Sequence, residues 1–168
     1  SMSEKTKRIS TGIEGLDEIT DGGFIEGRKY MIDGPAGAGK SLLGLEFLTA
    51  ATAQDKNALY INFEESTDAI KANAQNIGVE VDGIEFLDLS PKSDVFTQSQ
   101  SYDIFSAKEV EGDDILERIM NRIEEVEPDR VFIDPLTQLQ YLTADDYQFR
   151  KQVIGFAKYL QQRGATLL

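Results

Sequence analysis

The segment that most restricts this chain is Gly34-Pro35-Ala36-Gly37-Ala38-Gly39-Lys40-Ser41, which satisfies the pattern G-x-x-x-x-G-K-[ST] in full. An apolar run that reads as a strand, about Lys29–Asp33, leads into it, and a segment of helical period from Lys40 to about Ala53 follows. The glycines let backbone N–H groups curl around an anion with no Cβ in the way. The helix then offers the positive end of its dipole to the same point. Lys40 can reach the β and γ phosphates of a nucleoside triphosphate, and the Ser41 hydroxyl can ligate Mg²⁺. The plainer alternative is a chance glycine-rich turn before a helix, and the strand and helix on either side weigh against it. Gly34, Pro35, Ala36, Gly37, Ala38, Gly39, Lys40, Ser41 and the next residue, Leu42, are therefore the expected phosphate-binding set, with ATP and Mg²⁺ as ligands. ATP is preferred to GTP because no N-K-x-D motif occurs.

The remainder alternates short apolar runs with helical-period segments, the pattern of a mainly parallel sheet flanked by helices. Residues 11–27 are rich in glycine and read as a short helix between turns. Strands are expected at Ala58–Phe63, Ile84–Leu89 and Val131–Ile133. Ser66 can cap a helix that Gly78 ends. From Ser90 to about Gly112 no period is visible; a structureless loop this long is uncommon, so the stretch is expected to be functional, mobile or partly structured. Asp113–Val126 sets Ile115, Leu116, Ile119, Ile123 and Val126 on one helix face, and Pro128 closes it. A last helix from near Asp145 turns Val153, Phe156, Ala157 and Leu160 inward. Gly164-Ala165-Thr166-Leu167-Leu168 reads as a turn and a buried strand. Domains rarely end inside a core strand, so residues 1–168 are expected to be a single domain cut short at its C-terminus.

Composition limits the chemistry. With no Cys and no His, thiolate and imidazole metal sites and His-based triads are excluded, leaving carboxylates, Lys and Tyr for acid–base work. The net charge of −13 opposes binding to nucleic acid or anionic membranes, and no apolar run approaches the roughly 20 residues needed to span a bilayer. Asp134 ends the apolar strand Val131-Phe132-Ile133, where a Walker B acid would hold Mg²⁺ directly or through water. Glu64 and Glu65 end another strand, at the carboxyl edge where parallel sheets bind ligands. One of them can orient or deprotonate the water that attacks the γ-phosphate. Equally, both can be helix-start acids with no catalytic role. Spacing alone leaves the two readings open.

With these pieces placed, the chain resembles ATPases of the RecA superfamily, and within it the KaiC type. The matching stretches are Thr11-Gly12-Ile13-Glu14-Gly15-Leu16-Asp17, Gly22-Gly23-Phe24, the phosphate loop, Phe63-Glu64-Glu65-Ser66, Ile133-Asp134-Pro135 and Phe149-Arg150-Lys151-Gln152-Val153-Ile154-Gly155. The resemblance covers nearly the whole chain. It implies a RecA-like fold, a hexameric ring with nucleotide between neighbouring protomers, Glu64 as catalytic base and Glu65 as its support. Pro135 departs from the pattern, which has Ser or Thr after the strand-end Asp. The family's downstream strands, the basic residues offered to a neighbour's nucleotide and the phosphorylated sites of its second domain would lie beyond Leu168.

The expected function is Mg-dependent ATP binding and slow hydrolysis in a cytoplasmic, signalling or clock-type ATPase, with autokinase activity a further implication for a full-length protein. Expected partners are further copies of the chain and signalling proteins, with nucleic acid and membrane disfavoured. Two rivals share the fold: a recombination ATPase binding single-stranded DNA, and a switch module that binds nucleotide without hydrolysing it.

Overall fold

A computed structural model describes residues 8–10, 24–25, 38–91, 107–134, 155, 158–160, 162 and 164–168. Two short strands, β1 (Arg8–Ile9) and β2 (Phe24–Ile25), pair antiparallel. Helix α1 (Ala38–Thr52), strand β3 (Ala58–Asn62), helix α2 (Thr67–Asn76), strand β4 (Ile84–Asp88), helix α3 (Ala107–Val126), strand β5 (Arg130–Asp134) and strand β6 (Thr166–Leu167) follow. The last four strands form a sheet in the order β4-β3-β5-β6, parallel throughout. The α/β class with a mainly parallel sheet is thus what the chain adopts.

β3 explains why the sheet is layered on both sides. Every residue of Ala58-Leu59-Tyr60-Ile61-Asn62 is buried, as a parallel strand covered on both faces requires. Because side chains alternate along a strand, Ala58 and Tyr60 pack with Leu45, Phe47, Leu48 and Ala51 of α1 and with Ile70 and Ala74 of α2. Leu59 and Ile61 pack on the opposite face with Ile115, Ile119 and Ile123 of α3 and with Leu160. The two apolar clusters drive the assembly, at roughly 25 cal/mol for each Å² of apolar surface removed from water.

One glycine sets how closely a helix lies on the sheet. A Cβ at Gly44 would fall 2.3 Å from the Phe132 ring, far inside van der Waals contact. The missing side chain lets α1 settle onto β5. Ser41 lies one turn before Gly44 on the same helix face, and Asp134 lies two residues beyond Phe132 on the same sheet face. The close approach therefore brings Ser41 over Asp134.

The helix after the polar stretch differs from expectation. It starts at Ala107 rather than Asp113, so Ala107–Gly112 are helical. The first six residues have little apolar periodicity and end on a glycine, so only the helix propensity of Ala107, Lys108, Glu109 and Glu111 marks them. Phe24–Ile25, expected among turns, is strand. The expected strand about Lys29–Asp33 lies outside the described residues, as do Val153, Phe156 and Ala157, whereas Leu160 is buried as expected.

Candidate active site

The carboxyl ends of three parallel strands meet on one edge of the sheet, with Asp88, Asn62 and Asp134 paired in register across β4, β3 and β5. α1 and α2 both begin at this edge, because each runs back along the strands. In the first turn of α1, Gly39 is exposed with open space where a Cβ would stand, and Lys40 and Ser41 are half-buried. No acidic residue occupies that turn. Leu42 is exposed at 36% and takes no part in the core. Gly34, Pro35, Ala36 and Gly37 lie outside the described residues.

The Ser41 hydroxyl donates to Asp134 Oδ2 at 2.8 Å, across 93 positions of sequence. Tyr60 donates its phenol hydroxyl to the same oxygen, also at 2.8 Å. Burial, then the Asp134 carboxylate beside it, pushes the Tyr60 phenol far above its ordinary value of 10.0, against a smaller opposing pull from the neighbouring Ser41 hydroxyl. Tyr60 therefore stays protonated and remains a donor. The Glu65 carboxylate adds to the same upward push, so its charge is felt at the Tyr60 hydroxyl.

Glu64 and Glu65 are exposed on the turn between β3 and α2. That turn is tied down at several points. The Phe63 amide donates to the Asp134 carbonyl at 3.0 Å. Asn62 Nδ2 donates to the Glu65 carbonyl at 2.8 Å and to Thr67 Oγ1 at 3.3 Å. Ser66 caps α2 through the Ala69 amide at 3.2 Å, as its position suggested. Asp88 accepts from the Thr67 amide and from the Ser90 amide, each at 2.9 Å. Burial alone would raise the Asp88 carboxyl, but the Ser90 and Thr67 amides that donate to it outweigh the burial and hold it below its usual 3.8.

Sequence reading did not single out Tyr60, Asn62 or Asp88. Asn62 carried the one available signal, a polar residue inside the apolar run Leu59-Tyr60-Ile61-Asn62-Phe63. It is 1% exposed, and among the described residues its Oδ1 has no hydrogen-bond partner. An unpaired buried acceptor costs about 1–3 kcal/mol.

The donor set suits a hard divalent cation such as Mg²⁺. A serine hydroxyl and a carboxylate are hard oxygen ligands, and Mg²⁺ is commonly held by one or two such groups with phosphate oxygens and water completing its shell. Among the described residues no cluster of three or more acids gathers to hold a metal by itself. Ser41 and Asp134 are thus suited to a metal that arrives with a phosphate.

A parallel α/β core, with Lys40 and Ser41 at a helix start and Ser41 bonded to an acid on a strand end, has the layout of a P-loop protein. Comparison with known proteins agrees. The family model described as "ATPase: KaiC" matches residues 9–168. The chain is 30% identical over 175 residues to the circadian clock oscillator protein KaiC of Thermostichus vulcanus, covering 99% of this chain and 32% of that protein. It is 30% identical over 173 residues to the protein of the same name from Parasynechococcus marenigrum, again 99% and 32%. It is 27% identical over 169 residues to circadian clock protein KaiC3 of Synechocystis, 96% and 32%. This chain belongs to the KaiC family of ATPases, RecA-superfamily proteins with a nucleotide-binding core, and spans about a third of the length of the curated relatives it matches.

Proposed function

We propose that residues 1–168 act as one ATPase domain that binds Mg·ATP at the carboxyl edge of its sheet and, in the complete protein, hydrolyses it slowly. The observation that carries this reading is the hydrogen bond of 2.8 Å between Ser41 and Asp134, which joins the end of the phosphate-loop motif to the strand-end acid. Lys40 and the backbone N–H groups of the phosphate loop, Pro35 excepted because it has none, hold the phosphates, aided by the N-terminal dipole of α1. Ser41 and Asp134 would hold Mg²⁺, which would supply neutralisation of phosphate charge when bound. Glu64 orients and deprotonates the attacking water, and Glu65 supports it by its charge. The relatives' names, those of circadian clock proteins, support a clock or signalling role; to that role the proposal adds a cytoplasmic setting, a hexameric ring of the complete protein and protein partners.

Calorimetric titration of Mg·ATP into Lys40→Ala tests the reading. Loss of the cation from the phosphate cradle should weaken binding by roughly 10- to 100-fold, the worth of a charged hydrogen bond. Unchanged affinity would remove Lys40 from the site and with it the phosphate-loop assignment.

A further inference from the structure

Asp134 Oδ2 receives two hydrogen bonds of 2.8 Å, from Ser41 Oγ and from Tyr60 Oη. The first belongs to the phosphate-loop chemistry already described. The second comes from a residue of a neighbouring strand that no part of that chemistry uses. Tyr60 is fully buried at 0% exposure. Its ring stacks on Phe86 with centroids 5.2 Å apart at 24° and meets Phe132 edge-on at 5.1 Å and 75°. The phenol therefore has no freedom to follow a moving carboxylate. It is a fixed donor at the end of a clamped ring.

A fixed donor selects one orientation of the carboxylate. With Oδ2 committed to two hydroxyls, no hydrogen bond within the described residues reaches Oδ1, which leaves that oxygen to a metal ion or its bound water. We propose that Tyr60 is a positioning residue of the Mg²⁺ site, holding Asp134 with Oδ2 turned to the protein and Oδ1 left for the metal. The proposal rests on the Mg·ATP reading above. Ligands next to a metal are commonly oriented by a second ring of hydrogen bonds, whose loss costs 10- to 100-fold in metal affinity. A purely structural phenol would make a different demand. It would need a partner for its own buried hydroxyl, and its removal would leave the metal dependence alone.

The test uses Tyr60→Phe, which keeps the clamped ring and removes only the donor. A non-hydrolysable ATP analogue is titrated calorimetrically into wild type and variant, once with excess Mg²⁺ and once with EDTA. The expected result is a roughly 10-fold loss of the Mg²⁺-dependent gain in affinity, with metal-free affinity unchanged. Equal Mg²⁺-dependent gains in the two proteins would overturn the proposal while leaving the Mg·ATP reading intact. A wild type that binds the analogue no better with Mg²⁺ than without would overturn both, and it would do so before any variant is considered. Phe86→Leu supplies the second arm, which also serves if Tyr60→Phe does not fold. It keeps the phenol and loosens its clamp, and should cost a few-fold in the same gain, short of the loss seen with the donor removed. No cost from Phe86→Leu would show that the ring's rigidity does not orient Asp134.

Discussion

Two helices begin at the same edge of the sheet and use their N-termini in opposite ways. The start of α2 is satisfied from within the protein. Ser66 caps it, Asp68 stands in its first turn, and Asp88 reaches across from β4 to the Thr67 amide. The first turn of α1 holds no acid and instead carries Lys40 and Ser41, the latter turned to Asp134. The same backbone dipole is neutralised in one helix and offered outward in the other. What separates the two starts is the side chains of their own first turns, an acid in α2 and a lysine with a serine in α1, since the backbone supplies the same amides in both.

The sharpest way to break this comparison is Glu64→Gln, on the turn that joins the capped helix to the site. If that turn is part of the machinery, turnover by the complete protein should fall by roughly 100-fold or more while Mg·ATP still binds. Phosphate release together with calorimetry measures both. Greater damage from Glu65→Gln would reverse the two roles, and no effect from either would make the pair plain helix-start acids.

Gly44→Ala acts on α1 alone. The added methyl meets the Phe132 ring at 2.3 Å, so helix and strand must part, at about 2 kcal/mol of stability. Ser41 should move off Asp134, and Mg·ATP binding should weaken with it. A urea midpoint and an affinity both equal to wild type would mean that the helix seat has slack.

Ser66→Ala acts on α2 alone. It should cost about 1 kcal/mol in urea unfolding, the ordinary worth of a cap, and leave Mg·ATP affinity within about twofold. A large loss of affinity would show that the two helix starts are not independent.

The smallest effect concerns pH. The folded Asp88 carboxyl lies below its usual 3.8, so its stabilisation is complete above that value and disappears as pH falls through the folded one. Asp88→Asn should remove that part of the acid-side slope, at a cost of at most about 1 kcal/mol at neutral pH. Parallel stability-versus-pH curves for the two proteins would show that Asp88 does not anchor α2.

The legible parts were those with strong local patterns. The ends of β3, β4 and β5 fall within a residue of expectation because apolar runs bounded by polar residues mark buried strands clearly. Ser66 was legible because a cap is a local device. Tyr60 was not, because a tyrosine in an apolar run looks like core until Asp134, 74 positions away, is placed against its hydroxyl. Asp88 looked like a strand terminus for the same reason. Gly44 gave no warning either, since its role depends on Phe132, which only the packing supplies. Strands of two residues such as β1 and β2 are too short to show any period.

The hydrogen bond between Ser41 and Asp134 closes a span of 93 positions, and the central strand pair, β3 with β5, closes one almost as long. Contacts so distant in sequence are reached late and slowly in folding, since the entropy of closing the chain is lost before the contact repays it. During synthesis the phosphate-loop motif leaves the ribosome long before its acid partner exists. A nascent chain that stops short of β5 carries the glycines, the lysine and the serine with no carboxylate to meet them, so tight nucleotide binding would mark the moment at which the core is complete.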